Sequence, residues 1–141
     1  MTRFFDSSAI VTAYGHRPDG ARVRQLMGGR VAVSRLAEVE VVSALARLAR
    51  EVSLPNARRD AGISAFLVDF VEWETIEVVP EVTAQARDLL LTHVLRASDA
   101  VQLASALMVQ SRLAGALDGF VCFDRRLANA ARREHLTVIG D

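Results

Sequence analysis

Four short apolar runs, separated by much longer stretches of helical periodicity, constrain this chain most. Arg3 to Asp6, Arg30 to Val33, Thr75 to Val79 and Gly119 to Phe123 each read as a strand. The segments between them are too long for hairpins, so the strands must be joined by crossovers and lie parallel. Leu136 to Ile139 adds a possible edge strand. The expected fold is α/β, with a central parallel sheet of four to five short strands.

The connecting segments carry helix signals. Ser7 or Ser8 caps a helix stopping near Gly15, and a short helix spans Gly20 to Met27 before Gly28-Gly29. Ser34 is a natural cap for a long helix from about Arg35 to Val52, with Leu36, Val39, Ser43 and Ala46 along one side. Pro55 opens a helix whose Ile63, Phe66, Leu67, Phe70 and Val71 follow a buried-stripe pattern. Further helices run from Pro80 to about Val94, from a Ser98 cap to about Ala116, and onward from Asp124.

Composition narrows the chemistry. With 141 residues, 51% of them hydrophobic, the chain suits one domain with a real core. No stretch approaches the roughly 18 apolar residues of a membrane span, and Asp6 breaks any signal-peptide core. The expectation is a cytoplasmic protein with no membrane contact. Cys122 stands alone, which excludes an internal disulfide. His16, His93 and His135 form no close ligand pair. All 17 basic residues are Arg, so a standard P-loop and Schiff-base chemistry are excluded. A phosphoacceptor receiver domain, which relies on Lys, is disfavoured for the same reason. Charge is balanced and gives no overall nucleic-acid footprint.

Four acids stand out by position. Asp6 and Asp124 end apolar strands, and sites in open α/β sheets gather at the carboxyl ends of strands. Asp99 begins a helix otherwise rich in Ala, Val, Leu and Met. Glu40 lies one turn into the long helix between Val39 and Val41, with Glu38 as a competitor. Shielded carboxylates need hydrogen bonds, a proton or a cation, and Mg²⁺ or Mn²⁺ suits an all-oxygen cluster. The competing reading is structural, because Asp at a strand-to-helix junction is a normal N-cap and an acid in a first turn complements the helix dipole. Arg125 and Arg126 would sit in the first turn of a helix, opposing its dipole by about 0.3–1 kcal/mol each, a cost that a nearby anion offsets. Arg47 lies two turns beyond Glu40 on nearly the same face. Guanidinium groups bind phosphate well, so these three are candidate RNA contacts, together with the hydroxyls of Ser7 and Ser8.

The segments Phe5-Asp6-Ser7-Ser8-Ala9-Ile10-Val11, Ser34 to Leu45, Leu95 to Ala106 and Phe120 to Ala131 resemble, in order, the four signature blocks of PIN-domain ribonucleases. They resemble most closely the VapC toxins of bacterial type II toxin–antitoxin pairs. The resemblance implies a single PIN domain over 1–141, a three-layer α/β/α fold, and metal binding and catalysis by Asp6, Glu40, Asp99 and Asp124. The family Glu stands six residues after the Ser that opens its block, which favours Glu40 over Glu38. Ser7 or Ser8 matches a small hydroxyl residue near the metal, whereas Gln102 departs from the His often found in the third block. The implied activity is Mg²⁺- or Mn²⁺-dependent endonucleolytic cleavage of structured RNA, leaving a 3′-hydroxyl. The implied partners are an RNA substrate, a cognate VapB-like antitoxin whose tail enters a groove between the helices of Arg35 to Glu74, operator DNA through that antitoxin only, and a second copy in a homodimer. A non-catalytic PIN-like interaction domain whose acids merely cap helices is the alternative. A metal-dependent nuclease with no antitoxin partner is another, and a DNA nuclease built on the same metal site is a third.

Overall fold

A computed structural model describes residues 1–113 and 117–140. Five strands form one sheet: β1 (Thr2–Phe5), β2 (Arg30–Ser34), β3 (Glu74–Ile76), β4 (Leu117–Cys122) and β5 (Val138–Gly140). All four strand pairings are parallel, in the order β3-β2-β1-β4-β5. The winding runs outward from β1 through β2 to β3, then returns to the other side of β1 with β4 and β5. The order therefore reverses between β1 and β4, where open α/β sheets form a crevice at the strands' carboxyl ends.

Seven helices are described: α1 (Ser7–Tyr14), α2 (Gly20–Leu26), α3 (Ala37–Glu51), α4 (Asn56–Phe70), α5 (Pro80–Thr92), α6 (Ala97–Arg112) and α7 (Arg125–Arg133). They cover both faces of the sheet because successive strand residues point to opposite sides. Phe4, Ala32, Phe120 and Cys122 pack with Val82, Leu89, Leu103 and Leu127 of α5, α6 and α7. Phe5, Val31, Val33 and Val121 pack with Ile10, Val23, Val41 and Phe66 of α1 to α4. Covering both faces requires continuous apolar runs, and Phe4-Phe5 and Phe120-Val121-Cys122 supply them. The three layers match the expected architecture.

Several local expectations are corrected. Asp6 rather than either serine caps α1, its carboxylate accepting from Ala9 N at 3.0 Å. Ser34 does not cap α3. It ends β2, and its hydroxyl accepts from Leu36 N at 3.1 Å in a turn ahead of the helix. Ser98 lies within the first turn of α6, behind the N-cap Arg96. The buried face of α3 is Ala37, Val41, Leu45 and Ala49, while Val39 is exposed. On α4 only Phe66 and Phe70 are buried. Leu67 and Val71 face outward because the helix meets the core along a narrow edge. Strands β3 and β5 differ from the expected 75–79 and 136–139. The expected end of α6 near Ala116 lies outside the described residues, and the last described turn ends at Arg112. Among the described residues no helix is long and apolar enough to cross a membrane.

Candidate functional site

The carboxyl ends of β1 and β4 are held together by the chain itself. Asp6 N donates to Val121 O at 3.2 Å, continuing the β1–β4 pairing one residue beyond β1. Ser8 Oγ accepts from Phe123 N at 3.0 Å and donates to Asp6 Oδ1 at 2.7 Å. One cleft of about 700 Å³ opens above this junction, and Asp6, Ser7, Ser8, Glu40, Arg47, Asp99, Gln102 and Asp124 all line it. The four acids named from sequence thus border a common space, although Asp6 and Asp124 lie 118 positions apart in the chain. Glu38 does not line it and instead pairs with Arg35 at 3.6 Å.

Asp6 and Asp124 combine the two competing sequence readings. Each uses Oδ1 as a helix cap, toward Ala9 N in one case and Leu127 N in the other, both at 3.0 Å. Each directs Oδ2 elsewhere. Asp6 Oδ2 accepts from the buried Cys122 thiol at 3.4 Å, and Asp124 Oδ2 accepts from Arg96 Nη2 at 3.2 Å. Burial pushes the Asp6 carboxyl up to about 6, against the opposing pull of Ser8, Ala9 and Cys122, with Asp124 adding further repulsion. Burial also raises Asp99, opposed by Arg96. Burial and the neighbouring Asp6 charge push the Cys122 thiol upward, so it is a neutral donor rather than a nucleophile.

Glu40 is held from two sides. Its Oε1 accepts from Ser7 Oγ and from Gln102 Nε2, both at 2.8 Å, and Gln102 Nε2 also reaches Ser7 Oγ at 2.9 Å. Gln102 therefore ties α6 to α1 and α3. Its Oε1 is buried without a hydrogen-bond partner.

The donor chemistry fits a small divalent cation: four carboxylates border one cleft, and two of them are raised by burial. With the side chains as they stand, no group of three or more His, Cys, Asp or Glu among the described residues is set to hold a metal ion. Positive charge reaches the acids from Arg96 instead, whose Nε donates to Asp99 Oδ2 at 3.2 Å while Nη2 reaches Asp124.

Arg125 and Arg126 open α7 and line an adjoining depression with Arg96, Asp124 and Asn129. Sequence reasoning did not single out Arg96, or Arg17, which also lines the main cleft. The spacing of Arg96 three residues before Asp99 was the available signal, since side chains three apart on a helical turn are neighbours.

A family model for the PIN domain matches residues 3–133. No curated protein matches the sequence. Solved structures that share the fold include the following three. A toxin–antitoxin complex from Klebsiella pneumoniae is 16% identical with a TM-score of 0.63, covering 98% of this chain and 96% of that one. The sarcin–ricin-loop-cleaving toxin VapC20 of Mycobacterium tuberculosis is 18% identical with a TM-score of 0.65, covering 92% and 95%. VapBC2 of Rickettsia felis, bound to a fragment of its promoter DNA, is 14% identical with a TM-score of 0.66, covering 99% and 98%.

Proposed function

We propose that this chain, which belongs to the PIN domain family, is a metal-dependent endoribonuclease toxin of a VapBC-type module. In this reading 1–141 is a single PIN domain acting in the cytoplasm as a homodimer. It cleaves structured RNA of the tRNA or rRNA class and is inhibited by a cognate VapB-like antitoxin, through which alone it meets operator DNA. The observation that carries the reading is the meeting of Asp6, Glu40, Asp99 and Asp124 along one cleft at the reversal point of the sheet. The toxin–antitoxin character of the structural neighbours supports the choice of partners.

Asp6, Glu40, Asp99 and Asp124 would hold one or two Mg²⁺ or Mn²⁺ ions. When bound, such an ion acidifies water for attack and stabilises charge developing on the phosphate and leaving oxygen. The protein's own contribution is positional. Ser8 and Ala9 fix the Asp6 carboxylate, and Ser7 and Gln102 fix Glu40. Arg47, Arg125 and Arg126 would receive the backbone phosphates flanking the cut.

Cleavage of total RNA is expected to need Mg²⁺ and to stop in chelator. Asp6→Asn and Asp99→Asn are expected to abolish it with an unchanged circular dichroism spectrum. Either purified variant cutting at the wild-type rate overturns the assignment. The second reading, a non-catalytic PIN-like interaction domain, draws on the helix-capping bonds of Asp6 and Asp124 and on the lack of a pre-set metal cluster among the described residues. It predicts neither Mg²⁺ dependence nor any effect of these amides.

A further inference from the structure

Arg96 is the residue shared by the acidic cleft and the arginine-lined depression beside it. Its backbone is fixed as the N-cap of α6, but its side chain is 69% exposed. That tip lies between Asp99 and Asp124, 3.2 Å from each, and the negative charge of Glu40 also acts on it. It thus supplies the positive charge that two acids of the proposed site would otherwise draw from a divalent ion. Across Asp124, the depression carries Arg125 and Arg126 at a helix start, where a phosphate would offset their opposition to the dipole.

We propose that Arg96 is an exchangeable counter-ion, holding Asp99 and Asp124 until a divalent cation takes its place and then turning toward Arg125 and Arg126 to take an RNA phosphate. The inference rests on the metal-site reading above and deepens it. Cation entry and substrate grip become coupled through one mobile side chain. The site is protected from its own repulsion when empty and gains a phosphate ligand when loaded.

The test is calorimetric titration of MnCl₂ into chelator-stripped protein, comparing wild type, Arg96→Gln, Arg96→Lys and Asp99→Asn. Removing an internal competitor makes Arg96→Gln bind Mn²⁺ roughly 3- to 30-fold more tightly, the scale on which two partly exposed ion pairs act. Arg96→Lys falls between that variant and wild type. The KM for RNA rises in Arg96→Gln although its metal affinity has improved, a split that simple damage to the fold does not produce. Equal or weaker Mn²⁺ binding by Arg96→Gln overturns the counter-ion role, and an unchanged KM overturns the phosphate role. If Asp99→Asn weakens Mn²⁺ binding in that same experiment, the metal-site reading survives the loss of this one. If wild type and Arg96→Gln both fail to bind Mn²⁺, the metal-site reading itself falls.

Discussion

Replacing Asp6 with asparagine is expected to make the metal-free protein more stable, although it removes a residue assigned to catalysis. The carboxyl is 3% exposed and is held at about 6 instead of 3.8, chiefly by burial. At 1.36 kcal/mol per pH unit, its ionised form costs the fold about 3 kcal/mol. The native state binds the proton more tightly than the unfolded chain, so stability falls as pH rises from about 3.8 through about 6 and stays low above that. Asparagine carries no charge, and its Oδ1 can still accept from Ala9 N. It loses the Cys122 thiol contact, so about 3 kcal/mol is the ceiling of the gain. Urea unfolding in chelator would measure this. Asp6→Asn is expected to exceed wild type by about 1–3 kcal/mol at pH 7.5, and the gap is expected to close between pH 6 and pH 4. Adding Mn²⁺ would then stabilise wild type alone, by about 2.7 kcal/mol at 100 times the dissociation constant. An Asp6→Asn protein less stable than wild type throughout pH 5–8 would refute the claim that Asp6 is a carboxylate strained by burial.

Other outcomes follow from particular contacts. Gln102→Leu unties Glu40 and Ser7 and is expected to lower kcat for RNA roughly tenfold, about 1.4 kcal/mol of barrier, with little change in KM. Phe66 is fully buried with its ring centroid 5.5 Å from that of Phe70 and 5.8 Å from that of Tyr14, so Phe66→Ala is expected to cost about 3–5 kcal/mol in urea unfolding. The Arg125→Ala, Arg126→Ala double variant is expected to weaken RNA binding across sequences and to flatten its salt dependence by about 0.7–0.9 per lost phosphate contact in filter binding. An unchanged slope would return these two residues to the role of surface charge.

The strands were readable because a sheet covered on both faces needs unbroken apolar runs, and Phe4-Phe5 and Phe120-Val121-Cys122 provide them on opposite sides. Helix faces were less readable. On α3, Ala37, Val41, Leu45 and Ala49 compete with a second apolar side through Leu36 and Val39, and alanines weigh little in a periodicity even when fully buried. On α4 the local pattern could not show that only a narrow edge meets the core. The acids were found by their places at strand ends and by family blocks, neither of which contains the distances between them. Arg96 escaped notice because only one of its partners, Asp99 three residues on, is local in sequence. The second, Asp124, lies 28 positions away.

The divided use of Asp6 and Asp124, one oxygen toward a helix start and the other toward the Cys122 thiol or the Arg96 guanidinium, bears on how this protein can be silenced. Exchanging a single oxygen for an amino group leaves the helix anchored and the outer contour intact. The silenced copy would then still be gripped by anything that recognises the exterior, and so becomes a decoy. A change that also removed the anchoring oxygen would lose the shape along with the chemistry.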